Sequence, residues 1–590
     1  MYHVTLNGQG YLIDLGAYVR RAFEPFALKR AQGARSYGDL RGPEQVHALS
    51  DWSGGEGQVR YGAEAPARYR AGDGIDVWSV PGGVRLGPEL TAKVTPGSNE
   101  SGALCIFNGH LIVGDAAGNV YRFNGTTATL IGNVGGAVRS LETFLGKLYV
   151  GREGSGAVAE ITSAWAMTAA KFTVTGSPAG VYSMRTFYRQ TAQYLYVLGA
   201  ANGPGSVGTV QWWDGATLSP IQYDFEQVFP LASAVLGNRL YFFVSDLLAS
   251  RLGVYSVDDG GSGGVYRHHL TVDGVVAWEA VVYQGAMYVL GAPDGRIFKW
   301  DGSSLTQVYQ LATPAAPYGA ALFGAAQWQG ALWIGIADGA GGLGLLRYDG
   351  TSWSRPVSGL TGTALRKLQV FNGALYAASA RVGAGTVYGT TGALRTVGTL
   401  ETALFDAGLP NVLKVLRSVT VVHAPLATGQ SVQVQYRVED AGGWVTLGTS
   451  SGLGQGAATF TPAGSQTCRQ VGVRLTLVGP GGGSTPVIYD VLVRYAPAPP
   501  LAREWELAIM LAGTPELPLV RLDGSAEPLT GQQLASALWS ARELGTPVIF
   551  SDLDDASRRV WIDDIREETA KYSQRQGFQS IARVRLVEAG

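Results

Sequence analysis

A short phrase that returns seven times between residues 100 and 405 constrains the fold of this chain more than any other feature. Each copy has an apolar or aromatic stretch, a turn with Gly or Asn, and then Leu-Tyr-Val or a similar triplet, as in residues 144–150. The turns lie near residues 109, 146, 192, 237, 285, 330 and 373, so the six intervals average 44 residues. Internal repeats of this length are typical of propellers, solenoids and other repeat arrays.

A second phrase indicates that several repeats contain another tight turn. It consists of an aromatic residue, then Asn or Asp, then Gly, and it follows the first phrase by about fifteen residues. It occurs at Asn124-Gly125, Asp214-Gly215, Asp301-Gly302 and Asp349-Gly350. Asn-Gly and Asp-Gly favour hairpins in which both central residues have positive φ. Each repeat is therefore interpreted as four antiparallel strands, which is the composition of a propeller blade.

The repeat predicts a mainly β chain built around a seven-bladed β-propeller, although six or eight blades also fit the spacing. We expect a strand near residues 84–94 to complete the first blade. The fold accounts for the high glycine content, 83 of 590 residues, because a ring of short strands needs many turns. A solenoid or a stack of sandwiches is the alternative that the repeat leaves open.

The propeller is flanked by other predicted domains. The predicted division is 1–95 as an irregular N-terminal assembly module, 96–400 as the propeller, 401–497 as a β-sandwich and 503–590 as a small α+β domain. The sandwich is predicted from strands in which apolar and polar residues alternate. Closely spaced prolines in residues 496–502 favour a stiff linker.

The last domain contains the clearest helix signal in the sequence. Thr530 and Gln533 fit a capping box, in which each side chain binds the backbone of the other residue. Leu534 and Leu538 begin an apolar face, and Gly545 is expected to end the helix.

Composition excludes several classes of partner and site. The formal net charge is −1, whereas nucleic acid and anionic membranes select a basic face. No apolar run is long enough to span a membrane and no secretion signal begins the sequence, so we expect synthesis in the cytoplasm. Cys105 and Cys468 form no metal-binding motif, and His268 and His269 would point to opposite faces of a strand. The prediction is therefore no metal and no cofactor.

No catalytic motif occurs in a suitable context, so the chain is predicted not to be an enzyme. Two acidic stretches, 552–555 and 258–264, could gather carboxylates for calcium, but an exposed turn and a flexible loop are the favoured interpretations. Residues 349–353 match part of the Asp-box of sialidase propellers without its leading serine, and are interpreted as a structural hairpin. A glycan-cleaving propeller would need arginines, a tyrosine nucleophile and a carboxylate base at its centre, and nothing in the sequence assembles them.

Tryptophans supply the remaining candidate sites, because an indole ring can stack on a sugar or anchor a protein contact. The candidates for a surface ligand are Trp212, Trp213, Trp300 and Trp328. Residues that pack between blades would look the same in the sequence. The candidates for assembly contacts in the N-terminal module are Asp51, Trp52, Glu56 and Trp78.

Short motifs outside the propeller resemble the minor tail proteins of tailed bacteriophages. The N-terminal motifs are Ser-Asp-Trp-Ser-Gly-Gly-Glu-Gly-Gln at 50–58 and Val-Trp-Ser-Val-Pro-Gly at 77–82. The sandwich carries Phe-Asp-Ala-Gly-Leu-Pro at 405–410 with Lys414, and it ends with Thr485-Pro486 and Arg494-Tyr495. The C-terminal motifs are Phe-Ser-Asp at 550–552 and Val-Trp-Ile-Asp-Asp at 560–564.

The resemblance implies a structural virion protein of the distal tail or tail tip. Such a protein assembles in several copies around the tail axis, binds other tail proteins, and displays a propeller that contacts a glycan or protein of the host surface. Its location would be the phage tail, after synthesis in the host cytoplasm. The competing function is a carbohydrate-binding or glycan-hydrolysing propeller with an accessory sandwich. Sugar turnover that depends on carboxylates near the propeller axis would favour this second function.

Overall fold

The computed structural model describes residues 2–588, except for 24–44, 63–65, 96–100, 177–178, 190–191, 201–206, 259–263, 293–294, 312–321, 339–341, 381–384, 407–409, 411–412, 441, 465, 498–501, 555 and 574–576. Within these residues the chain is almost entirely β, and its one α-helix lies near the C-terminus. No helix in this described part has the length and apolar character needed to cross a membrane.

The N-terminal segment contributes short strands to several sheets. Its strands are β1 (Val4–Leu6), β2 (Gln9–Tyr11), β3 (Val19–Phe23), β4 (Gln45–Leu49), β5 (Ala71–Asp73), β6 (Ile75–Asp76) and β7 (Arg85–Leu86). Strands β6 and β7 pair with each other, β2 pairs with β1, and β1, β3, β4 and β5 pair with strands from later in the chain.

The next twenty-eight strands form seven four-stranded antiparallel sheets, numbered here as sheets 1 to 7 in chain order. The strands of sheets 1 to 3, with β8 before them, are β8 (Pro88–Val94), β9 (Ser101–Phe107), β10 (His110–Asp115), β11 (Asn119–Phe123), β12 (Ala128–Asn133), β13 (Val138–Phe144), β14 (Lys147–Arg152), β15 (Ala157–Ile161), β16 (Met167–Thr173), β17 (Gly180–Arg189), β18 (Ala192–Ala200), β19 (Gly208–Trp213) and β20 (Tyr223–Asp224). Those of sheets 4 to 7 are β21 (Phe229–Leu236), β22 (Arg239–Asp246), β23 (Arg251–Asp258), β24 (Tyr266–Asp273), β25 (Val276–Tyr283), β26 (Ala286–Ala292), β27 (Arg296–Trp300), β28 (Leu305–Gln310), β29 (Leu322–Trp328), β30 (Ala331–Asp338), β31 (Gly342–Tyr348), β32 (Trp353–Leu360), β33 (Ala364–Phe371), β34 (Ala374–Ala380) and β35 (Thr386–Leu394).

The seven sheets surround a common axis. Their first strands are β9, β13, β17, β21, β25, β29 and β33, and each contacts the next. Strand β33 also contacts β9, so the ring is closed. The predicted β-propeller is therefore confirmed, and an open solenoid is excluded.

Strand β8 closes the ring, but in a different sheet from the one expected. The repeat predicts that this strand completes the first blade. In the structure, β8 instead pairs with β35 and is the outer strand of sheet 7. Sheet 1 already has four strands of its own, β9 to β12. The last repeat supplies only three, so the edge that the N-terminal segment covers belongs to sheet 7.

The two turn phrases adopt different conformations. In five of the seven copies of the first phrase, both central residues have positive φ, as in Asn108 (47°) and Gly109 (70°). Leu145, Gln284, Gln329 and Asn372 lie at the same position with φ between 47° and 50°. In the second phrase only the glycine has positive φ, so the predicted turn type is wrong there. The preceding Asn or Asp instead accepts backbone N–H groups two and three residues ahead, as Asp214 does from Ala216 and Thr217.

A β-sandwich follows the propeller. Its strands are β36 (Val397–Glu401), β37 (Lys414–His423), β38 (Ser431–Val438), β39 (Val445–Ser450), β40 (Ala457–Phe460), β41 (Gln466–Cys468), β42 (Val471–Val478) and β43 (Ile488–Pro497). One sheet has the order β39-β38-β42-β36-β5 and the other β4-β43-β37-β40, with β41 also paired to β37. Alternate residues of both sheets, such as Val434 and Val493, meet in one core.

The C-terminal unit is a seven-stranded sheet with one helix packed on it. Its later elements are β44 (Ala502–Leu511), α1 (Gly531–Glu543), β45 (Val548–Ser551), β46 (Ser557–Ser573) and β47 (Gly577–Glu588). The strand order is β2-β1-β45-β46-β47-β44-β3. The predicted capping box of Thr530 and Gln533 is present, and the buried face of α1 includes Leu534 and Leu538.

The N-terminal segment differs from the separate module that the sequence predicts. Strands β1 to β3 belong to the C-terminal sheet, β4 and β5 to the sandwich, and β8 to the propeller. The physical reason is that such short strands gain little alone and must pair with existing sheet edges. Of the expected linker, β43 includes residues 496–497 and β44 begins at Ala502, while residues 498–501 lie outside the described residues.

Candidate functional site

An axial channel of about 450 Å³ runs between the first strands of the seven sheets, all of which contribute residues to its wall. In sheet 1 a bulge leaves Gly102 of the first strand unpaired with the second strand. In sheets 2, 3, 4, 5 and 7 a bulge likewise leaves one residue of the first strand unpaired. The residues in these five sheets are Arg139, Tyr182, Leu231, Trp278 and Arg366, and all five line the channel. A bulge redirects a side chain and interrupts the alternation of a strand.

The charged groups of the channel are arranged as ion pairs. Arg185 lies 3.9 Å from Glu142 and also donates to the carbonyl oxygen of Ser233 at 3.1 Å. Lys367 donates to Glu279, and this pair joins sheets 5 and 7 past the intervening sheet 6. Ion pairs across the channel hold the carboxylates and several of the cations in fixed positions. Because each charge is partly neutralised by its partner, the channel presents a weaker electrostatic field to a charged ligand.

The nucleophile candidates in the channel are not activated. Burial, with a contribution from Glu153, raises the pKa of Tyr182 to about 12. Burial and the negative charge of Glu142 raise the pKa of Cys105 to about 12 as well. A nucleophilic tyrosine or cysteine needs a lowered pKa or an adjacent base. Burial therefore favours the protonated forms of Tyr182 and Cys105.

The predicted assembly residues of the N-terminal motif lie mainly inside the molecule. Trp52 is 2% exposed, and its indole Nε1 donates to the carbonyl oxygen of Tyr489 at 3.3 Å. Glu56 accepts from the hydroxyl of Tyr309 at 3.0 Å, and burial raises the pKa of its carboxyl group. These contacts join the segment to the sandwich and the propeller, so they correct the expectation that Trp52 and Glu56 contact another protein. Asp51 is exposed and accepts the backbone N–H of Ser53 at 2.9 Å.

Three of the tryptophans predicted to bind a surface ligand pack within the propeller. Trp300 is fully buried, and Trp213 is 4% exposed and donates to the hydroxyl of Tyr149 at 3.3 Å. Neither ring is accessible to a sugar, so the expectation is wrong for these two. Trp212 is half-buried beneath the guanidinium of Arg189, which lies 5.4 Å from its ring centroid.

Trp328 and Trp78 differ from these three tryptophans, because both are half-buried at the surface and pack against the same buried residue. The fully buried Trp333 contacts each ring edge-on, with centroids 5.1 Å from Trp328 and 5.9 Å from Trp78. The guanidinium of Arg347 lies 4.0 Å from the centroid of Trp78. The structure therefore brings together one candidate from each predicted group.

The acidic stretch that begins at residue 552 is exposed at Leu553 and Asp554, as the sequence favours, but its first residue is buried. Asp552 is 2% exposed and accepts from the hydroxyl of Tyr18 at 2.6 Å and from the indole of Trp505 at 2.8 Å. Arg20 and Arg558 also lie within 3.5 Å of its carboxylate. Asp555 and residues 259–263 of the second acidic stretch lie outside the described residues. Among the residues that are described, no three His, Cys, Asp or Glu side chains are grouped as metal ligands.

Comparison with known proteins shows similarity in fold alone. No family model matches the chain, and no curated protein matches it. A structure from a mechanistic study of two prolyl endopeptidases is 12% identical with a TM-score of 0.33, and the match covers 52% of this chain and 54% of that one. The chain thus spans about half the length of that structure. The propeller of Dos1 is also 12% identical, with a TM-score of 0.37, and the match covers 52% of this chain and 88% of that one.

Proposed function

We propose that this chain is a structural, non-enzymatic protein of a bacteriophage tail, located at the distal tail or tail tip. It would assemble in several copies around the tail axis, bind other tail proteins, and hold its propeller toward the host surface. The starting point is the resemblance of its motifs to minor tail proteins. Those motifs have structural contacts in this fold: Lys414 donates to the carbonyl oxygen of Arg469 at 2.9 Å, and Phe405 stacks on His47 at 3.6 Å.

The observation that carries the proposal is the exposed apolar surface of the C-terminal unit. Of twenty-two large apolar side chains exposed in the described residues, nine belong to a unit formed by residues 2–23 and 502–588. They are Leu15, Met510, Leu517, Val520, Leu522, Leu544, Ile549, Leu553 and Trp561. We propose that several of these side chains form a contiguous apolar surface, which is typical of a surface that a partner covers.

The polar part of the same unit also fits a protein interface. On the outer face of its sheet, Arg21 pairs with Glu506 at 2.9 Å and Arg583 pairs with Glu568 at 3.1 Å. Exposed ion pairs contribute little to folding stability, but alternating charges give an interface its register and exclude wrong partners. A partner of this surface needs complementary charges beside an apolar centre.

The channel argues against the competing glycan-hydrolysing function. Its carboxylates Glu142 and Glu279 are paired with cations, and the pKa of Tyr182 is raised. If the channel nevertheless hydrolysed a glycan, Glu142→Gln or Glu279→Gln would abolish turnover. We expect no turnover of cell-wall glycans by the unaltered chain.

The proposal is tested on particles released by cells that produce this chain. An epitope-tagged chain should copurify with tailed particles, and cryo-electron microscopy should place it in the tail. Leu517→Glu combined with Leu522→Glu should reduce its incorporation, because two charges would be buried at the interface without partners. The control is Leu248→Glu, since Leu248 is 99% exposed on the propeller. Absence of the chain from the particles would contradict the proposal.

A further inference from the structure

A groove of about 460 Å³ opens where sheets 6 and 7 meet the N-terminal segment. We call it the closure groove, because it lies beside the strand β8 that closes the ring. The residues of its wall used below are Trp78, Arg85, Trp328, Gln329, Asn372 and Thr391. Its volume lies within the range of about 300–1,000 Å³ found for small-ligand pockets.

The groove exists because the ring is closed by a strand from elsewhere in the chain. At other junctions, the first turn of one sheet contacts a later turn of the next sheet. Asn108 donates to the carbonyl oxygen of Ser163 at 3.0 Å, and Gln284 donates to that of Asp349 at 3.2 Å. In sheet 7 the third and fourth strands, β35 and β8, come from opposite sides of the repeat region, so no turn joins them.

Gln329 occupies the turn position in sheet 6 that Gln284 occupies in sheet 5, with φ of 48° and 47°. Gln284 has its hydrogen-bond partner in the neighbouring turn, whereas the exposed side chain of Gln329 forms no hydrogen bond within the described residues. The exposed amide of Asn372, in the corresponding turn of sheet 7, likewise forms none there. The missing turn thus leaves the amide group of Gln329 available, and Asn372 places a second amide group in the same groove.

The aromatic residues of the groove are held in place before any ligand binds. Trp328 donates to the carbonyl oxygen of Gly373 at 2.8 Å, as Tyr283 does to that of Gly330 at the preceding junction, also at 2.8 Å. Trp333 supports both Trp328 and Trp78 from beneath. Side chains fixed in this way lose little conformational entropy on binding, which favours affinity.

The charges and hydroxyl groups of the groove favour a neutral, hydroxyl-rich ligand. Arg85 donates to the carboxylate of Asp76 at 2.8 Å, and the same carboxylate accepts the backbone N–H of Trp78 at 2.9 Å. This cation and this anion therefore balance. Thr391 adds an exposed hydroxyl on the opposite wall. Amides and hydroxyls both donate and accept, and indole rings pack against the C–H faces of a pyranose.

We propose that the closure groove binds a neutral oligosaccharide. Trp78 and Trp328 would pack on the sugar rings, and Gln329 and Asn372 would bind ring hydroxyls. A proline-rich peptide also uses aromatic grooves, but it offers no hydroxyls for the two amides. The inference goes beyond the proposed tail function, because binding of a sugar by the isolated chain does not depend on the particle in which the chain resides.

The test uses the full chain and three probes: chitotriose, cellotriose and maltotriose. Titration calorimetry should detect one-to-one binding of at least one of them with a Kd of about 1 mM or tighter. Gln329→Ala should weaken that binding about tenfold, the effect of losing one hydrogen-bonded pair. Trp328→Tyr should weaken it similarly, while the tyrosine can still reach Gly373 as Tyr283 reaches Gly330.

Gln284→Ala is the matched control, because it removes the same side chain at the same backbone conformation outside the groove. It should change the Kd less than about twofold. Three outcomes would overturn the inference: none of the probes binds at millimolar concentration, binding persists unchanged in the Gln329→Ala and Trp328→Tyr variants, or a proline-rich peptide binds the groove in place of every sugar. Each of these outcomes leaves the test for particle incorporation unaffected.

Discussion

Asp349 provides the sharpest test of how the propeller turns are stabilised. The guanidinium of Arg347 donates to its carboxylate at 3.3 Å. The carboxylate also accepts four shorter hydrogen bonds, from the backbone N–H groups of Thr351 (3.0 Å) and Ser352 (2.9 Å) and from both hydroxyls (2.8 Å each). These bonds lower the pKa of Asp349 from 3.8 to about 2, although burial acts in the opposite direction. We expect Asp349→Ala to destabilise sheet 6 strongly.

Two independent arguments give the same magnitude. A pKa lowered by nearly two units corresponds to about 2.4 kcal/mol of stability at neutral pH. Ser352 is 4% exposed, so its N–H and hydroxyl would both be buried without a partner, at about 1–3 kcal/mol each. Thr351 is exposed and can bind water instead. The expected loss for Asp349→Ala is therefore about 3 kcal/mol.

The pH dependence has a definite sign. Because the pKa of Asp349 is lowered in the folded chain, its contribution is complete above about pH 4 and is lost as the pH falls through about 2. At pH 3 about half of it should remain. Asp349→Asn should cost about 2 kcal/mol at neutral pH, less than Asp349→Ala, because it keeps one oxygen for the two N–H groups, as Asn124 does in sheet 1, but loses the charge and the second acceptor oxygen.

Urea unfolding at pH 7 and pH 3 measures the loss, and hydrogen exchange of the segment 349–354 reports the turn itself. Asp214→Ala is the control, because Asp214 accepts only from Ala216 and Thr217, which are both exposed. Its loss should be about 1 kcal/mol. The reasoning is refuted if Asp349→Ala costs no more than Asp214→Ala, or if Asp349→Asn costs as much as Asp349→Ala.

Three further predictions follow from conformation and protonation. Leu145 has a φ of 47°, a conformation that asparagine tolerates better than leucine. Leu145→Asn should therefore raise the midpoint of urea unfolding by the equivalent of about 1 kcal/mol. An unchanged midpoint would show that the turn is unstrained. Burial lowers the pKa of His47 from 6.5 to about 4. The free energy of unfolding should therefore fall by about 2 kcal/mol as the pH is lowered from 7.5 to 4.5. In urea titrations, His47→Phe should remove that loss. Burial raises the pKa of Cys105 to about 12 and that of Cys468 to about 11. Both thiols should therefore react with a disulfide reagent at pH 8 at least about 100-fold more slowly in the native chain than in urea. Rapid labelling of either thiol in the native chain would contradict its burial.

The propeller and the helix were predictable because their signals are local. A hairpin turn needs particular residues at particular positions, and five copies of the first phrase, including those at Asn108 and Asn372, have both central residues at positive φ. The capping box of Thr530 involves only the four residues 530–533. The second phrase was misinterpreted because Asp-Gly also suits a turn in which the carboxylate binds the next N–H groups, as Asp349 does.

The channel could not be found from hairpin signals alone, but the sequence does hold a trace of it. Arg139, Tyr182 and Arg366 stand in the first strand of their repeats, a few residues before the turn phrase, where the other repeats have apolar residues. Their direction depends on bulges that break the simple alternation. An alternating pattern therefore assigns these side chains to the wrong face of the blade.

The burial of Trp213 and Trp300 has a similar cause, since tryptophan is used both between blades and on surfaces. Trp328 ends the first strand of its sheet, where Phe144 and Tyr283 are 2% and 3% exposed in other repeats. Trp328 is more exposed because the sheet that follows it lacks the turn that would otherwise cover it. One sequence position therefore has different exposure in different repeats. The difference comes from how the ring closes, which involves strands almost 300 residues apart, such as β8 and β35.

The N-terminal segment connects the C-terminal sheet, the sandwich and the propeller, because its strands pair with strands in all three. From β1 in the C-terminal sheet, the chain passes through β4 and β5 in the sandwich to β8 in the propeller, and returns through the propeller and sandwich to β44. Each unit thus depends on strands from both ends of the chain, so loss of the N-terminal segment would expose an edge in all three. A chain built in this way transmits the position of its C-terminal unit to its propeller through paired strands rather than through a single linker.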